Sequence, residues 1–108
     1  MTDTNYYRNQ LKTDMGNSAL NEAMSCVLLF DQKQQDYGSK NIASFEDKDM
    51  NMLGTCIRLN DKVQRMMNLL TKRIKEDGEP NNESIKDNAR DISNYGLILS
   101  LLEQDQWK

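Results

Sequence analysis

The sequence predicts an all-α fold: a small helical bundle of three main helices, completed by homo-oligomerisation. Three observations lead to this prediction. Apolar residues recur every three or four positions over three long segments, which is the period of an amphipathic helix. No segment alternates polar and apolar residues for long enough to predict a strand. A lone chain of 108 residues buries only about two-thirds of its surface, so self-association would add to its stability.

The N-terminal part divides into an arm and a first helix. Residues 1–17 are polar and predict a flexible arm or a short helix, whereas residues 18–108 are expected to form a single α-helical domain. We expect the first helix over 18–37, with Asn17 or Ser18 as its N-cap and Gly38 directly after it. This helix has a clear apolar face: Leu20, Ala23, Met24, Val27 and Leu28.

The second helix is expected over 50–75, after a loop at 38–49 whose Ile42 and Phe45 enter the core. It is apolar on two sides, so we expect it in the centre of a bundle or at an oligomer interface. One side carries Leu53, Ile57, Asn60, Met67, Leu70 and Ile74, and the other carries Met52, Leu59, Val63, Met66 and Leu69.

The third helix is expected over 84–104, because residues 76–83 are the clearest break in the chain. Ser84, followed by Asp87 three residues later, fits a capping box in which Asp replaces the usual Glu. The main apolar face of this helix would consist of Ile85, Ala89, Ile92, Gly96 and Leu99.

Composition excludes several classes of function. The chain has no His, which removes Ser-His-Asp and Cys-His catalysis and His-ligated zinc. A net charge of −3 argues against a DNA or RNA duplex as partner. Cys26 and Cys56 match no metal or redox motif and are expected to be buried free thiols in a reducing cytoplasm. No apolar run is long enough to span a bilayer, so we expect no membrane partner.

The first candidate site is a basic stripe on the second helix. Residues 51–75 carry six Lys/Arg against one acid. Four charged residues lie at i, i+3, i+4 and i+7: Arg58, Asp61, Lys62 and Arg65. The cations have two interpretations, pairing with carboxylates of the neighbouring helix or holding phosphate groups. The two are compatible, because a seam that pairs with itself when empty can open to take a nucleotide.

The second candidate site is an acidic line on the third helix. Asp87, Asp91 and Asn94 project along one side, and the line continues into apolar residues, so it enters the protein interior partway. Carboxylates there need a partner, which is either a cation of the protein or a bound metal. With Glu83 one turn earlier, the line would suit Mg²⁺, although ordinary helices often carry the same spacing.

The third candidate site is the segment 36–42. Tyr37 offers a ring for stacking, and Asn41 offers a paired donor and acceptor, which are groups that read a nucleotide base. Tyr and Asn beside a helix end are equally common as capping and packing residues, so both interpretations stay open.

Three separated blocks of the sequence resemble the nucleotide-modification-associated domain 1 family of phages and bacteria, over about residues 36–98. The blocks are Tyr37, Gly38, Asn41 and Ile42; then Arg58, Asp61, Lys62, Arg65, Asn68 and Leu69; then Asn82, Glu83, Ser84, Asp87, Asp91, Asn94 and Tyr95. That family is distantly similar to the all-α nucleotide pyrophosphohydrolases of the MazG type. The resemblance implies a nucleotide-related role.

The resemblance also implies which residues take part. It points to these as ligand-binding: Tyr37, Asn41, Arg58, Asp61, Lys62, Arg65 and Asn94. It points to Glu83, Asp87 and Asp91 as metal ligands if the chain is an enzyme. The pyrophosphohydrolases carry a Glu-x-x-Glu pair on an early helix, and the first helix here lacks that pair. The resemblance therefore favours nucleotide binding over cleavage.

Three functional hypotheses follow. The first is non-catalytic binding of a nucleotide or nucleotide-derived signal, such as phage sequestration of a host immune messenger, a cyclic oligonucleotide or an ADP-ribose derivative, with no required cofactor. The second is a Mg²⁺-dependent nucleotide pyrophosphohydrolase, in which a metal-bound water attacks and no His base is needed. The third is a protein-interaction module without a small ligand, which the two apolar sides of the second helix would serve.

Overall fold

The computed structural model confirms the all-α fold. It describes residues 3–76 and 82–108, with side chains for 3–75 and 85–108. In these residues four helices follow one another: α1 (Thr4–Gln10), α2 (Asp14–Tyr37), α3 (Lys48–Glu76) and α4 (Asn82–Glu103). No strand occurs within the described ranges.

Side-chain caps set the start of the first two helices. The carboxylate of Asp3 accepts a hydrogen bond from the Tyr6 amide and caps α1. Thr13 Oγ1 accepts from the Gly16 amide at 2.9 Å, so α2 begins at Asp14, four residues earlier than the sequence analysis predicts. Asn17 therefore lies inside α2, where its Oδ1 accepts a hydrogen bond from Arg8 at 3.2 Å and holds α1 against α2.

Gly38 ends α2 with φ 72° and ψ −177°, a backbone conformation that only glycine adopts readily. A Cβ at Gly38 meets nothing within 4 Å, so Gly38→Ala costs backbone strain alone, and we expect a loss of about 1–3 kcal/mol of unfolding free energy. Gly96→Ala is the matched control, since Gly96 is an exposed helical residue with open space around it. That variant should gain about 0.5–1 kcal/mol. Urea denaturation measures both changes in unfolding free energy. Equal changes would contradict the claim that the backbone at position 38 requires glycine.

Helices α3 and α4 form an antiparallel pair that contains most of the packing. Asp47 caps α3, because its Oδ1 accepts from the Asp49 amide at 2.9 Å. At the same end of the pair, Lys48 Nζ donates to the Glu103 carbonyl oxygen at 3.2 Å and satisfies a terminal carbonyl of α4. Among the residues of α3 with reduced exposure, six recur at intervals of three and four: Met52, Thr55, Leu59, Lys62, Met66 and Leu69.

Helix α2 lies against α4 through a smaller contact. Asn94 Nδ2 donates to the Cys26 carbonyl oxygen at 3.0 Å, and Arg90 donates two hydrogen bonds to Glu22 at 2.7 and 3.0 Å. The hydrogen bond from Arg90 lowers the pKa of the Glu22 carboxyl. One turn further along α2, Phe30 packs against the core cluster of Ile42, Ile98 and Leu102.

The chain leaves α4 through a Schellman turn that returns it to the core. The Gln106 amide donates to the Leu101 carbonyl at 2.8 Å, and the Asp105 amide donates to Leu102, with Asp105 at φ 58°. The turn brings Trp107 onto Phe30, with ring centroids 5.8 Å apart and planes at 86°. Trp107 Nε1 donates to the Ser39 carbonyl at 3.0 Å and holds the 38–47 loop.

Several burial predictions are wrong. Ile42 is buried, but Phe45 is exposed, because only its backbone is held, by two hydrogen bonds with the Asn51 side chain. Cys26 is buried, whereas Cys56 is exposed. The apolar face of α2 is largely exposed at Met24, Val27 and Leu28. In α4 no residue of the predicted main face is fully buried, and the helix instead buries Asn88, Asn94, Ile98 and Leu102.

The capping box proposed for the third helix lies outside the described side chains, which exclude Ser84. Among the described residues, none of the helices combines the length and hydropathy needed to cross a membrane.

Candidate functional site

One cleft collects polar and aromatic side chains from three helices and a loop; we call it the α2–α4 cleft. Its volume is about 140 Å³. The end of α2 supplies one wall, the loop after α2 and Arg58 of α3 supply another, and α4 supplies the third. Its lining consists of Phe30, Lys33, Gln34, Tyr37, Asn41, Ile42, Arg58, Asp91, Asn94, Tyr95 and Ile98.

A shared carboxylate lies in the wall that α4 contributes. Asp91 Oδ1 is 2.7 Å from Lys33 Nζ, and Asp91 Oδ2 is 3.1 Å from Lys62 Nζ, so one carboxylate joins α2, α3 and α4. Burial raises the pKa of Asp91, but the hydrogen bonds and charges of the two lysines outweigh it and hold that pKa below its ordinary value. Asp91 is therefore a carboxylate at neutral pH.

Arg58 lines the cleft and forms no ion pair with a described carboxylate. Its Nη2 donates to the Asn41 carbonyl oxygen at 2.9 Å, which ties α3 to the loop after α2. Within 3–75 and 85–108, no carboxylate lies within ion-pair distance of Arg58. A guanidinium group has five N–H donors in a planar fork, so this hydrogen bond leaves most of the fork for an anion.

Asn94 contributes a buried acceptor to the lining. Its side chain is 6% exposed, and its Nδ2 donates to α2, but its Oδ1 accepts no hydrogen bond from the described residues. A buried acceptor without a partner costs about 1–3 kcal/mol, so a donor that reached this atom from the cleft would gain a hydrogen bond. Tyr37 is exposed at the rim, and Phe30 and Tyr95 are half-buried beside it.

The structure brings together part of the predicted ligand-binding set. Four of these residues line the cleft: Tyr37, Asn41, Arg58 and Asn94. Lys62 is not part of the lining, but it forms an ion pair with Asp91, which is. Asp61 and Arg65 are exposed and lie outside the lining. The predicted pairing of the basic stripe with the acidic line therefore holds for Lys62 with Asp91.

The structure places the predicted metal ligands in different surroundings. Asp91 is held by two lysines, Asp87 is exposed outside the cleft, and the side chain of Glu83 lies outside the described residues. Where side chains are described, no group of three or more His, Cys, Asp or Glu residues is arranged to hold a metal ion.

Sequence reasoning identified Tyr37 at the end of α2 but missed the other α2 residues of the cleft, among them Phe30 and Lys33. Phe30, Lys33 and Tyr37 are spaced by three and four residues and therefore lie on one side of α2. This spacing could have indicated that the three side chains share a site. The stronger apolar pattern of α2 ends at Leu28 and marks another face of the helix, so it draws attention away from them. Tyr95 and Ile98 were also missed as lining residues, since they follow the last polar residue of the acidic line.

Fold and cleft together define a small all-α protein with a cationic, partly aromatic cleft between its helices. This chain matches no protein-family model, no curated protein and no solved structure.

Proposed function

We propose that this protein binds a nucleotide or nucleotide-derived signal in the α2–α4 cleft and does not cleave it. The observation that carries the proposal is the surplus of positive charge beside aromatic rings. Lys33 and Lys62 share one carboxylate, Asp91, and Arg58 pairs with none of the described carboxylates, so these four side chains carry a net charge of +2 for an anion. A phosphate group of a nucleotide carries the complementary charge, and a base stacks on aromatic rings.

The dimensions of the cleft indicate which part of such a ligand enters it. Pockets that enclose a drug-sized ligand measure roughly 300–1,000 Å³. At about 140 Å³ the cleft is smaller, so it holds one ring system or one phosphate group, and the rest of the ligand extends over the rim at Tyr37. Binding of this kind without turnover would sequester a small messenger, which agrees with the resemblance of residues 36–98 to a nucleotide-associated family.

The position of Asp91 favours binding over hydrolysis. A metal-dependent hydrolase needs carboxylates that are available to a cation, preferably several around one or two metal ions. The Asp91 carboxylate instead makes ion pairs with two lysines of other helices. Its role here is to position the lysines of the cleft.

The proposed function is tested by incubating the purified protein with a pooled panel of nucleotides, with and without Mg²⁺. The panel contains nucleoside triphosphates, deoxynucleoside triphosphates, cyclic oligonucleotides and cyclic ADP-ribose forms, and chromatography follows what stays free and what heat releases. We expect one compound to disappear and to return intact. Its return as a cleaved product would support the pyrophosphohydrolase instead, and a panel that stays entirely free would support the protein-interaction module.

Arg58→Ala should weaken binding of the retained compound at least about tenfold, because a hydrogen bond to a charged group contributes about 1.5–3 kcal/mol. Arg65→Ala is the matched control: it removes the same side chain from the same helix two turns away, outside the cleft. Isothermal titration calorimetry gives both dissociation constants, and circular dichroism verifies that the helices persist. Equal losses in the two variants would contradict this placement of the ligand.

A further inference from the structure

A second seam of residues runs along α3 on the side away from α4. Starting at Met50, its members are spaced alternately by three and four residues, which is the heptad pattern of a helix that packs against another helix. The seam, which we call the outer seam, consists of Met50, Leu53, Ile57, Asn60, Gln64, Met67, Thr71 and Ile74. Every one of these side chains is exposed, and the apolar ones reach 80% exposure at Ile74.

The amount of exposed surface is too large for a compact monomer. The chain has 8162 Å² of accessible surface, whereas a compact protein of 12.5 kDa exposes about 6,200 Å². Its radius of gyration is 16.2 Å, against about 13 Å for a compact domain of this length. The excess of about 2,000 Å² is in the range that one subunit of an obligate dimer buries.

The order of residues in the outer seam indicates a second copy of this chain as the occupant. If two α3 helices pack antiparallel about a two-fold axis at position 62, Asn60 of one copy lies opposite Gln64 of the other. In the same arrangement Ile57 lies opposite Met67, and Met50 lies opposite Ile74. Polar residues thus meet at the centre, apolar residues meet next to it and at the two ends, and Leu53 lies opposite Thr71 between these apolar layers. A parallel arrangement places each residue opposite itself, so Thr71 meets Thr71 in a third wholly polar layer, whereas the antiparallel arrangement sets Thr71 against Leu53.

We propose that the protein is a homodimer in which the outer seams of two α3 helices pack antiparallel, with Asn60 and Gln64 at the two-fold axis. This arrangement is isologous, because each copy uses the same surface. The polar pair at the centre sets the register, as a polar residue does in the core of a coiled coil. The neighbouring side chains Val63 and Leu70 widen the contact on one side.

The first test measures mass by sedimentation equilibrium. The unaltered chain should have twice the monomer mass of 12.5 kDa at micromolar concentration. Ile57→Glu with Met67→Glu should give a monomer that retains its helices, since both residues are exposed and make no core contact. Leu28→Glu is the control, because Leu28 is 73% exposed on α2, and this variant should remain dimeric. A monomeric unaltered chain, or a glutamate pair that stays dimeric, would overturn the proposal.

The second test reads the direction of the helices from disulfide formation in a Cys56→Ser background. Ile57→Cys with Met67→Cys should form a covalent dimer on oxidation, because the two positions face each other across the interface. Ile57→Cys alone should not, because its two copies would be about 15 Å apart along the helix axis, and a disulfide needs Cα atoms within about 7 Å. A covalent dimer from the single variant would demonstrate a parallel arrangement and overturn the antiparallel one.

Discussion

Leu102→Ala is expected to lower the free energy of unfolding by about 2–5 kcal/mol, which is large for a single substitution. Leu102 is 5% exposed and packs with Ile42 and Ile98 in a core cluster that joins α4 to the loop after α2. Removing its side chain leaves a cavity next to helices that have few other fully buried apolar residues. Because a small domain has only about 5–15 kcal/mol of stability, this variant should be close to unfolding.

Urea denaturation followed by circular dichroism measures this effect, at one protein concentration because self-association would contribute to stability. Leu28→Ala makes the same chemical change at a residue that is 73% exposed, and its effect should stay within about 0.5 kcal/mol. If both variants lost the same amount, the Leu102 cluster would not be the core of the fold.

Asp91→Asn is expected to change stability and ligand affinity in opposite directions. Stability should fall by about 1–3 kcal/mol, because Lys33 and Lys62 lose the carboxylate that joins their helices, although both lysines are partly exposed and regain water. Affinity for an anionic nucleotide should rise about tenfold, because the cleft gains one unit of positive charge. A metal-dependent hydrolase would respond differently, since loss of a metal-binding carboxylate would abolish turnover. Measuring denaturation and calorimetric binding on the same variant distinguishes the two.

The pH dependence of stability provides a check on the same carboxylate. The pKa of Asp91 is lower in the folded state than in the unfolded chain, where it is about 3.9. Its contribution is therefore fully present above about pH 4 and is lost as the pH falls through the lowered pKa. The difference in unfolding free energy between the unaltered chain and Asp91→Asn should be constant near neutral pH and should shrink in acid. If the difference in unfolding free energy persisted in acid, the substitution would act through side-chain packing and not through the loss of charge.

The helices themselves were largely predictable from periodicity and local chemistry. The second helix was expected over 50–75 and spans Lys48–Glu76, because apolar residues on two sides keep the three-and-four period over its whole length. Gly38 was expected after the first helix and ends it, because its positive φ requires glycine. The start of α2 was predicted late, since Thr13 is a cap that the apolar pattern does not mark.

The apolar pattern of the sequence does not show which element each face of a helix packs against. Two apolar sides of α3 look alike in sequence, yet one packs on α4 and the other carries the outer seam. In α4 the buried positions include Asn88 and Asn94, which a search for apolar faces passes over. For the cleft, the charges of Lys62 and Asp91 indicated a pair, but Lys33 joins them from a residue 58 positions away along the chain. Such a contact depends on how α2 crosses α4, which no local spacing encodes.

The placement of Trp107 gives the protein an intrinsic optical reporter. It is the chain's one tryptophan, and its ring lies against Phe30, which in turn lines the α2–α4 cleft. Indole emission moves to longer wavelength when the ring passes from apolar contact into water. Detachment of the C-terminal turn should therefore produce a red shift before the helices melt. A ligand that displaces Phe30 should change the emission intensity without any added dye, so binding to the cleft can be followed on the unlabelled chain.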